Sequence, residues 1–321
     1  MSHLRFDIIV PIYNIQDELE ACLASLASQT YPHFKVIMVD DGSKDDSHLI
    51  AKSYAEKDRR FHYFRKENGG LSDARNFGLA QTQHDYVLFI DGDDYLENNT
   101  LDVLASHLKD NDLDVLEFNG RYVENGEKTS LFNNHYIDSG VVKNGRDYFV
   151  DNVKAGCMYS AVWVKVIRRN FLIDSQLSFE KGLLHEDELW TPQLYLKAQR
   201  IMYLDIPFYN YVQRPGSIMH QKNRDKNVKD ARSIYYRLES IYDYYGLSSG
   251  QKRVLMDYLA RKMLGSFYEP ATIPITHTDK QYVMRHARSL KSRGQALVFS
   301  LCPKALPGLT KCIKKIARYK R

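Results

Sequence analysis

The first hundred residues alternate between short apolar runs and stretches whose apolar positions recur every three or four residues. Phe6–Ile12 is apolar and β-branched and predicts a strand. Ile15, Leu19, Cys22, Leu23 and Leu26 then recur at helical spacing, with Asn14 placed to cap the helix. Further strands are expected at 34–39, 61–64, 86–90 and 114–119, and helices around 47–55, over Leu71–Ala80 and over 101–108. This order predicts an α/β fold, an open Rossmann-like sheet, mostly parallel, with helices on both faces. Between 121 and 152 the pattern fades into Gly, Asn and Asp, and loops with short strands are expected. Residues 160–170 and 187–198 have helical character, and 201–211 reads as a strand with Pro207 at an edge or bend. Beyond residue 222 the chain becomes helical and Tyr-rich, with helices expected at 231–245 and 251–268. The expected domains are a catalytic-looking α/β part, 1–220, and a helical C-terminal region, 221–321, with the boundary good to about ten residues.

Composition sharpens this picture. A chain of 321 residues, 44% hydrophobic and 26% charged, holds one large or two small domains with ample core. No apolar run approaches the ~18 residues of a membrane span. A strand starting at Phe6 leaves no signal peptide to expect. Cys22, Cys157, Cys302 and Cys312 are scattered without metal-site spacing and read as reduced thiols, so a cytoplasmic location is expected. The net charge of +5 hides a division: residues 281–321 carry eleven Lys/Arg and no Asp or Glu, against 34 basic and 40 acidic groups in the first 280. In that tail Leu309, Cys312, Ile313 and Ile316 share one helical face, flanked by Lys311, Lys314, Lys315 and Arg318. Such a helix suits an anionic membrane surface, peripheral on the inner face of the cell membrane. The same pattern fits a helix docked on the body. No nucleic-acid motif accompanies the charge, so no nucleic-acid partner is expected. The Tyr-rich helices offer either a homodimer surface or a domain-packing surface.

Candidate chemistry gathers at the carboxyl ends of the expected strands, where open α/β sheets bind ligands. Asp91-Gly92-Asp93-Asp94 follows the apolar strand at 86–90. Adjacent carboxylates repel one another unless a cation or cationic ligand joins them. Mg²⁺ or Mn²⁺ takes oxygen ligands of this kind, often with substrate phosphates, although Asp-Gly-Asp is also ordinary turn chemistry. Pro11 and Tyr13 supply either an apolar wall and stacking surface or simple strand-end packing. Asp40-Asp41-Gly42-Ser43 ends the second strand, as a ligand contact, a helix cap or both. In Asn68-Gly69-Gly70 the glycines permit close backbone approach to a ligand. Arg75, one helical turn on, offers a forked donor to phosphate or base, or else a surface ion pair with Asp73 or Glu67. Glu186 and Asp187 open a helix, where acids are favoured in any case.

Together, the segments ending in Asn14, Ser43, Asn76, Asp94 and Trp190 closely resemble the family 2 glycosyltransferases of the bacterial cell-surface polysaccharide type. The resemblance runs over roughly residues 5–220 and implies the GT-A fold. It also implies metal-dependent, inverting transfer of a hexose or N-acetylhexosamine from a UDP-sugar to a glycan or lipid-linked oligosaccharide. The implied donor contacts are Pro11, Tyr13, Asn14, Asn68, Gly69, Gly70, Arg75, Asp91 and Gly92, with uracil N3–H on Asp40 or Asp41. Asp91-Gly92-Asp93 matches the family's DxD motif: Asp93 would bind Mn²⁺ or Mg²⁺ directly, Asp91 would face the ribose or join the metal shell, and Asp94 would stand behind them. The base that accepts the acceptor's proton maps to Asp187, with Glu186 orienting the acceptor. Arg214 maps to a phosphate contact, and His220 either to a further metal ligand or to an ordinary surface histidine. The family's processive synthases carry transmembrane helices and a Gln-x-x-Arg-Trp motif; neither is present, which favours single-residue addition. A nicotinamide-binding Rossmann enzyme is disfavoured, since Pro11-Ile12-Tyr13-Asn14 has no glycine where G-x-G-x-x-G needs one. A non-catalytic nucleotide-sugar or glycan-binding module is the alternative, but it has no use for a proton acceptor such as Asp187.

Overall fold

Strand β1 (Phe6–Ile12) is buried at every position, as a strand with neighbours on both sides and helices on both faces must be. It pairs in parallel with β2 (Phe34–Asp40) and β4 (Tyr86–Phe89), and β2 pairs in parallel with β3 (Phe61–Arg65). Helices α1 (Leu19–Ala27), α2 (Ser47–Lys57) and α3 (Leu71–Ala80) connect them. The computed structural model describes residues 3–132, 138–213, 224–267 and 272–303. The chain divides into two compact units, 1–217 and 218–321.

Side-chain alternation assigns the strand residues to opposite faces. Ile8, Val10 and Ile12 join Leu19, Cys22, Leu23 and Leu26 of α1 in one apolar cluster. Ile9 faces α3 instead, so closely that a Cβ on Gly78 would lie 2.5 Å from Ile9 Cγ2 and 3.3 Å from Val39 Cγ2. This bare backbone contact seats α3, and with it Arg75, directly on the sheet.

The first unit continues with β5 (Tyr95–Leu96), α4 (Thr100–Asn111), β6 (Val115–Glu124), β7 (Glu127–Leu131), β8 (Val142–Lys143), α5 (Gly145–Ala155), β9 (Lys165–Arg168), α6 (Arg169–Asp174), α7 (Glu186–Lys197) and β10 (Ile201–Val212). The sheet order is β3-β2-β1-β4-β9-β6-β10-β5, with β7 beside β6 and β8 beside β10. Its long ladders, including β6 with β10, are parallel; the antiparallel pairings are the short ones made by β5, β7, β8 and β9. The fold is therefore the expected α/β class, a mostly parallel central sheet flanked by helices.

Residues 160–170 do not form the expected helix. They make a 3₁₀ turn at Val162–Val164, the strand β9 and the start of α6. All of 162–167 is buried, so neither a two-residue nor a 3.6-residue period shows in the sequence, and pairing with β4 and β6 decides the conformation. Between 121 and 152 the chain is more regular than expected. β6 runs on to Glu124, and α5 is capped by Asn144, whose side chain accepts from Arg146 N at 3.1 Å. Asn14 caps no helix; α1 begins at Leu19, and Asn14 adopts a left-handed conformation. Pro207 marks a shift in the β6–β10 register, the bend rather than the edge.

The second unit contains α8 (Asp225–Tyr244), α9 (Ser249–Ser266), α10 (His277–His286) and α11 (Leu290–Leu301). Tyr235 and Tyr242 are buried, so part of the tyrosine pattern is ordinary packing. Among the described residues no helix is long and apolar enough to cross a membrane. The basic amphipathic stretch 309–318 lies outside the described residues. Gly78→Val forces branched methyls against Ile9 and Val39 and is expected to cost about 1–3 kcal/mol of stability by overpacking. Urea unfolding checks this; an unchanged midpoint would contradict the close contact.

Candidate active site

The acidic turn after β4 is built against β1. A Cβ on Gly92 would lie 2.5 Å from Ile15 Cδ1 and 2.9 Å from the Pro11 carbonyl oxygen, so only glycine lets the turn approach this closely. Asp91 and Asp94 turn to different partners. Asp94 is buried and turns toward β10, accepting from Tyr209 Oη at 2.6 Å and from Val212 N at 2.8 Å. Burial, with the charges of Asp93 and Asp91 added, pushes its carboxyl well above the usual range. Asp91 is half-buried and turns to α3, where its Oδ1 accepts from Arg75 Nη2 at 2.7 Å. Asp93 is half-buried between them in the turn.

Arg75 is not a surface ion pair with Asp73 or Glu67. Its side chain is only 3% exposed, and its second nitrogen, Nη1, donates to Glu186 Oε1 at 2.5 Å. The guanidinium also lies over the Phe179 ring, 5.5 Å from the centroid. Burial works against its charge, but Asp91 and Glu186, then Asp187, outweigh that penalty and raise its pKa. Asp73 pairs instead with Lys66, at 2.6 Å, and with Lys181.

Arg75 thereby links residues 91 and 186, which the chain separates widely. Helix α7 opens at Glu186 after His185, whose φ is +59°. Its first turn holds Glu186, Asp187 and Glu188, where the helix dipole favours negative charge. Asp187 Oδ1 accepts from Glu188 N at 2.9 Å. Even so, its carboxyl is pushed up to about 7, by burial first and then by Glu186 and Glu188, with Arg75 and the Glu188 amide opposing. A carboxylate that titrates near neutrality is suited to accept a proton from a hydroxyl.

The loops after β1 and β2 are stitched together. Asn14 Oδ1 accepts from Lys44 N at 2.8 Å, and Ser43 and Ser47 hydroxyls accept from the Asn14 and Ile15 amides. Tyr13 is 46% exposed and Pro11 buried, so a ring face is available beside an apolar floor. Asp40 is withdrawn from the cleft: it is fully buried, accepting from Ser43 N at 2.8 Å and Tyr63 Oη at 2.7 Å. Asp41 gathers the next loop, accepting from Gly69 N at 3.0 Å, Gly70 N at 2.7 Å, Asn68 Nδ2 at 3.2 Å and Lys66 Nζ. Gly70 needs its freedom, with φ at +87°. Arg214 and His220 lie outside the described residues.

Several contributors escape sequence reasoning. Lys66 joins Asp41 to Asp73, and Tyr209 holds Asp94. Lys165, fully buried, pairs with Glu117 at 3.6 Å and donates to the Tyr159 and Ala161 carbonyls at 3.1 and 2.7 Å. That bond set fixes the loop beside α7, whose Thr191 hydroxyl donates to the Ser160 carbonyl at 2.5 Å. Trp163 stacks on Tyr209 at 4.1 Å and on Tyr211 at 5.8 Å, and Phe132 stacks on Tyr159 at 5.4 Å. Trp163 and Tyr209 are buried in this cluster, and Phe132, Tyr159 and Tyr211 are partly exposed. The local richness in aromatics around 159–163 and 209–211 is the signal that marks it.

Among the described residues no three His, Cys, Asp or Glu side chains form a ready-made cation cage. The donor set still fits a hard cation that arrives with a diphosphate. Asp93 and the Asp91 oxygen not held by Arg75 are hard anionic ligands, too few alone for the octahedral shell of Mg²⁺ or Mn²⁺.

Comparison with known proteins identifies the family of the chain. The family model for glycosyl transferase family 2 matches residues 7–167. Glycosyltransferase GlyA of Streptococcus pneumoniae serotype 4 is 32% identical over 222 residues, 67% of this chain and 31% of that protein. The uncharacterized glycosyltransferase YibD of Escherichia coli K12 is 31% identical over 230 residues, 70% of this chain and 67% of that protein. This chain thus spans less than a third of the first relative and two thirds of the second. Among solved structures, residues 1–349 of S. aureus TarS in complex with UDP-GlcNAc superpose with a TM-score of 0.67 and 24% identity, over 95% of this chain and 86% of that one. That likeness establishes the fold. With the family model matching half of its length, the chain belongs to glycosyl transferase family 2.

Proposed function

We propose that the protein is a metal-dependent inverting glycosyltransferase. It transfers a hexose or N-acetylhexosamine from a UDP-sugar to a glycan, free or lipid-linked, in cell-surface polysaccharide synthesis. The observation that carries this reading is the Asp91–Arg75–Glu186 bridge, which ties the diphosphate-facing turn to the helix bearing Asp187. A uridine donor is supported by TarS, whose solved structure holds UDP-GlcNAc. A polysaccharide acceptor is supported by the same relative, a poly(ribitol-phosphate) β-N-acetylglucosaminyltransferase 31% identical over 222 residues.

In this reading Tyr13 stacks on the base, and Asp41 is the contact for its N3–H, exchanging a partner from the loop it now gathers. Asp93 and the Asp91 oxygen not held by Arg75 would hold Mg²⁺ or Mn²⁺, which would supply charge neutralisation at the diphosphate. Arg75 keeps Asp91 oriented. Asp187 accepts the proton of the acceptor hydroxyl while its oxygen bonds to C1 from the face opposite the diphosphate. The C1–O bond breaks with its electron pair on the departing UDP, and the anomeric configuration inverts. Glu186, held by Arg75, orients the acceptor, and the partly exposed rings of Tyr159 and Tyr211 offer it stacking surface. A lipid-linked acceptor would bring the protein to the inner face of the cell membrane.

Asp187→Asn is expected to lower turnover about a hundred- to ten-thousand-fold while leaving UDP-sugar affinity intact. Paired kinetics and calorimetry measure both, and unchanged turnover would remove Asp187 from its role. Because Asp187 must be ionised to act and its carboxyl titrates at about 7, kcat/KM should rise about tenfold per pH unit below 7 and level off above it. A pH–rate profile flat from 5 to 8 would argue against it. Asp93→Ala should abolish the dependence of UDP binding on Mn²⁺, read by titration calorimetry with and without the ion. Metal-enhanced binding that survives the substitution would assign the cation elsewhere.

A further inference from the structure

Helix α11 is half-docked. Its inner side is buried through Ser292, Gln295, Ala296 and Phe299, the last with its ring 4.5 Å from Phe267. Its outer side carries Leu290, Leu297 and Leu301, exposed by 91%, 51% and 77%. At 3.6 residues per turn these three leucines fall within about 40° of one another. Three large aliphatic side chains aligned in water on one stripe form a patch, not the scattered exposure that every surface shows.

The stripe begins beside a cluster of cations. Arg253 of α9, Arg288 just before α11 and Arg293 in its first turn line a cavity of about 400 Å³. Among the described residues none of the three forms an ion pair. The carboxylate packed beside them, Asp257, is turned inward. It accepts from Arg288 N at 2.6 Å, Ser289 N at 3.3 Å and Ser292 Oγ at 2.6 Å, and pairs with Arg261 at 3.3 Å. Asp257 therefore pins the start of α11 while leaving the guanidinium groups free for an external anion. Lys291 adds a further exposed cation.

We propose that this face of the second unit docks on an anionic membrane surface, with the arginine cavity taking a lipid phosphate and the leucine stripe entering the headgroup–acyl boundary. Cations beside an apolar stripe on one helix match the two layers of such a surface. A nucleic acid would meet the cations but gain nothing from the leucines. A second copy of the chain, docked by the same face across a two-fold axis, would bring the two arginine clusters together. The inference is independent of the catalytic reading, since it uses no residue of the first unit.

The test is co-sedimentation of the full chain with phosphatidylcholine vesicles, with and without phosphatidylglycerol. Binding is expected only to the anionic vesicles. It should fall about tenfold or more in Arg253→Ala/Arg293→Ala and in Leu290→Ser/Leu297→Ser, and recover in Arg253→Lys/Arg293→Lys. Every substituted side chain is solvent-exposed, and thermal melting of each variant confirms that the fold is retained. Wild-type binding by both loss variants would overturn the proposal, as would equal binding to neutral vesicles. So would a wild-type dimer, seen by sedimentation velocity without lipid, that the leucine variant converts to monomer.

Discussion

A single buried guanidinium organises the candidate site. Arg75 sits on α3 with almost no access to water and spends its two terminal nitrogens on Asp91, after β4, and Glu186, at the head of α7. A buried cation is costly unless paired, and removing either partner of such a pair typically costs several kcal/mol. The arrangement is therefore mutually enforcing. Asp91 and Glu186 keep Arg75 charged, and Arg75 keeps two anionic segments, far apart in the chain, next to each other. The bare Gly78 contact with Ile9 and Val39 is what lets α3 come near enough to reach both.

Around that bridge, environment separates chemically identical side chains. Asp94 is buried against Tyr209 and lies near other acids, so its pKa rises and it serves β10. Asp91 faces a cation and is oriented by it. Asp40 and Asp41 are adjacent in sequence, yet Asp40 closes its own turn while Asp41 collects the amides of Gly69 and Gly70. Asp187 has acids on both sides and Arg75 behind it, which leaves it titrating near neutrality. Residue type supplies the carboxylate; burial and the nearest charge decide what it does.

Legibility along the chain follows solvent contact. Elements that keep one wet face, such as α2 and α4, or that run as long apolar strands between turns, such as β1, could be read with little error. β9 could not, because a short segment buried on both faces shows no period. α5 was obscured by its Gly, Asp and Asn content, although Asn144 was a cap signal and Tyr148, Phe149, Asn152 and Val153 share a buried helical face. Asn14 looked like a cap because its residue type favours that role; in space its side chain bonds across to Lys44 of the next loop.

The order of strands and helices, the fold class and the strand-end location of the acidic residues were determined by sequence alone, because they rest on local periodicity and turn chemistry. The partners of those residues were decided only by tertiary structure. Whether Arg75 faced solvent, phosphate or carboxylate depended on what burial placed beside it. The same holds for Lys66 between Asp41 and Asp73, Lys165 beside Glu117, and the ring cluster around Trp163. Electrostatic pairing in a dry interior depends on distances of a few ångströms between elements that are remote in the chain. No spacing within one segment encodes those distances.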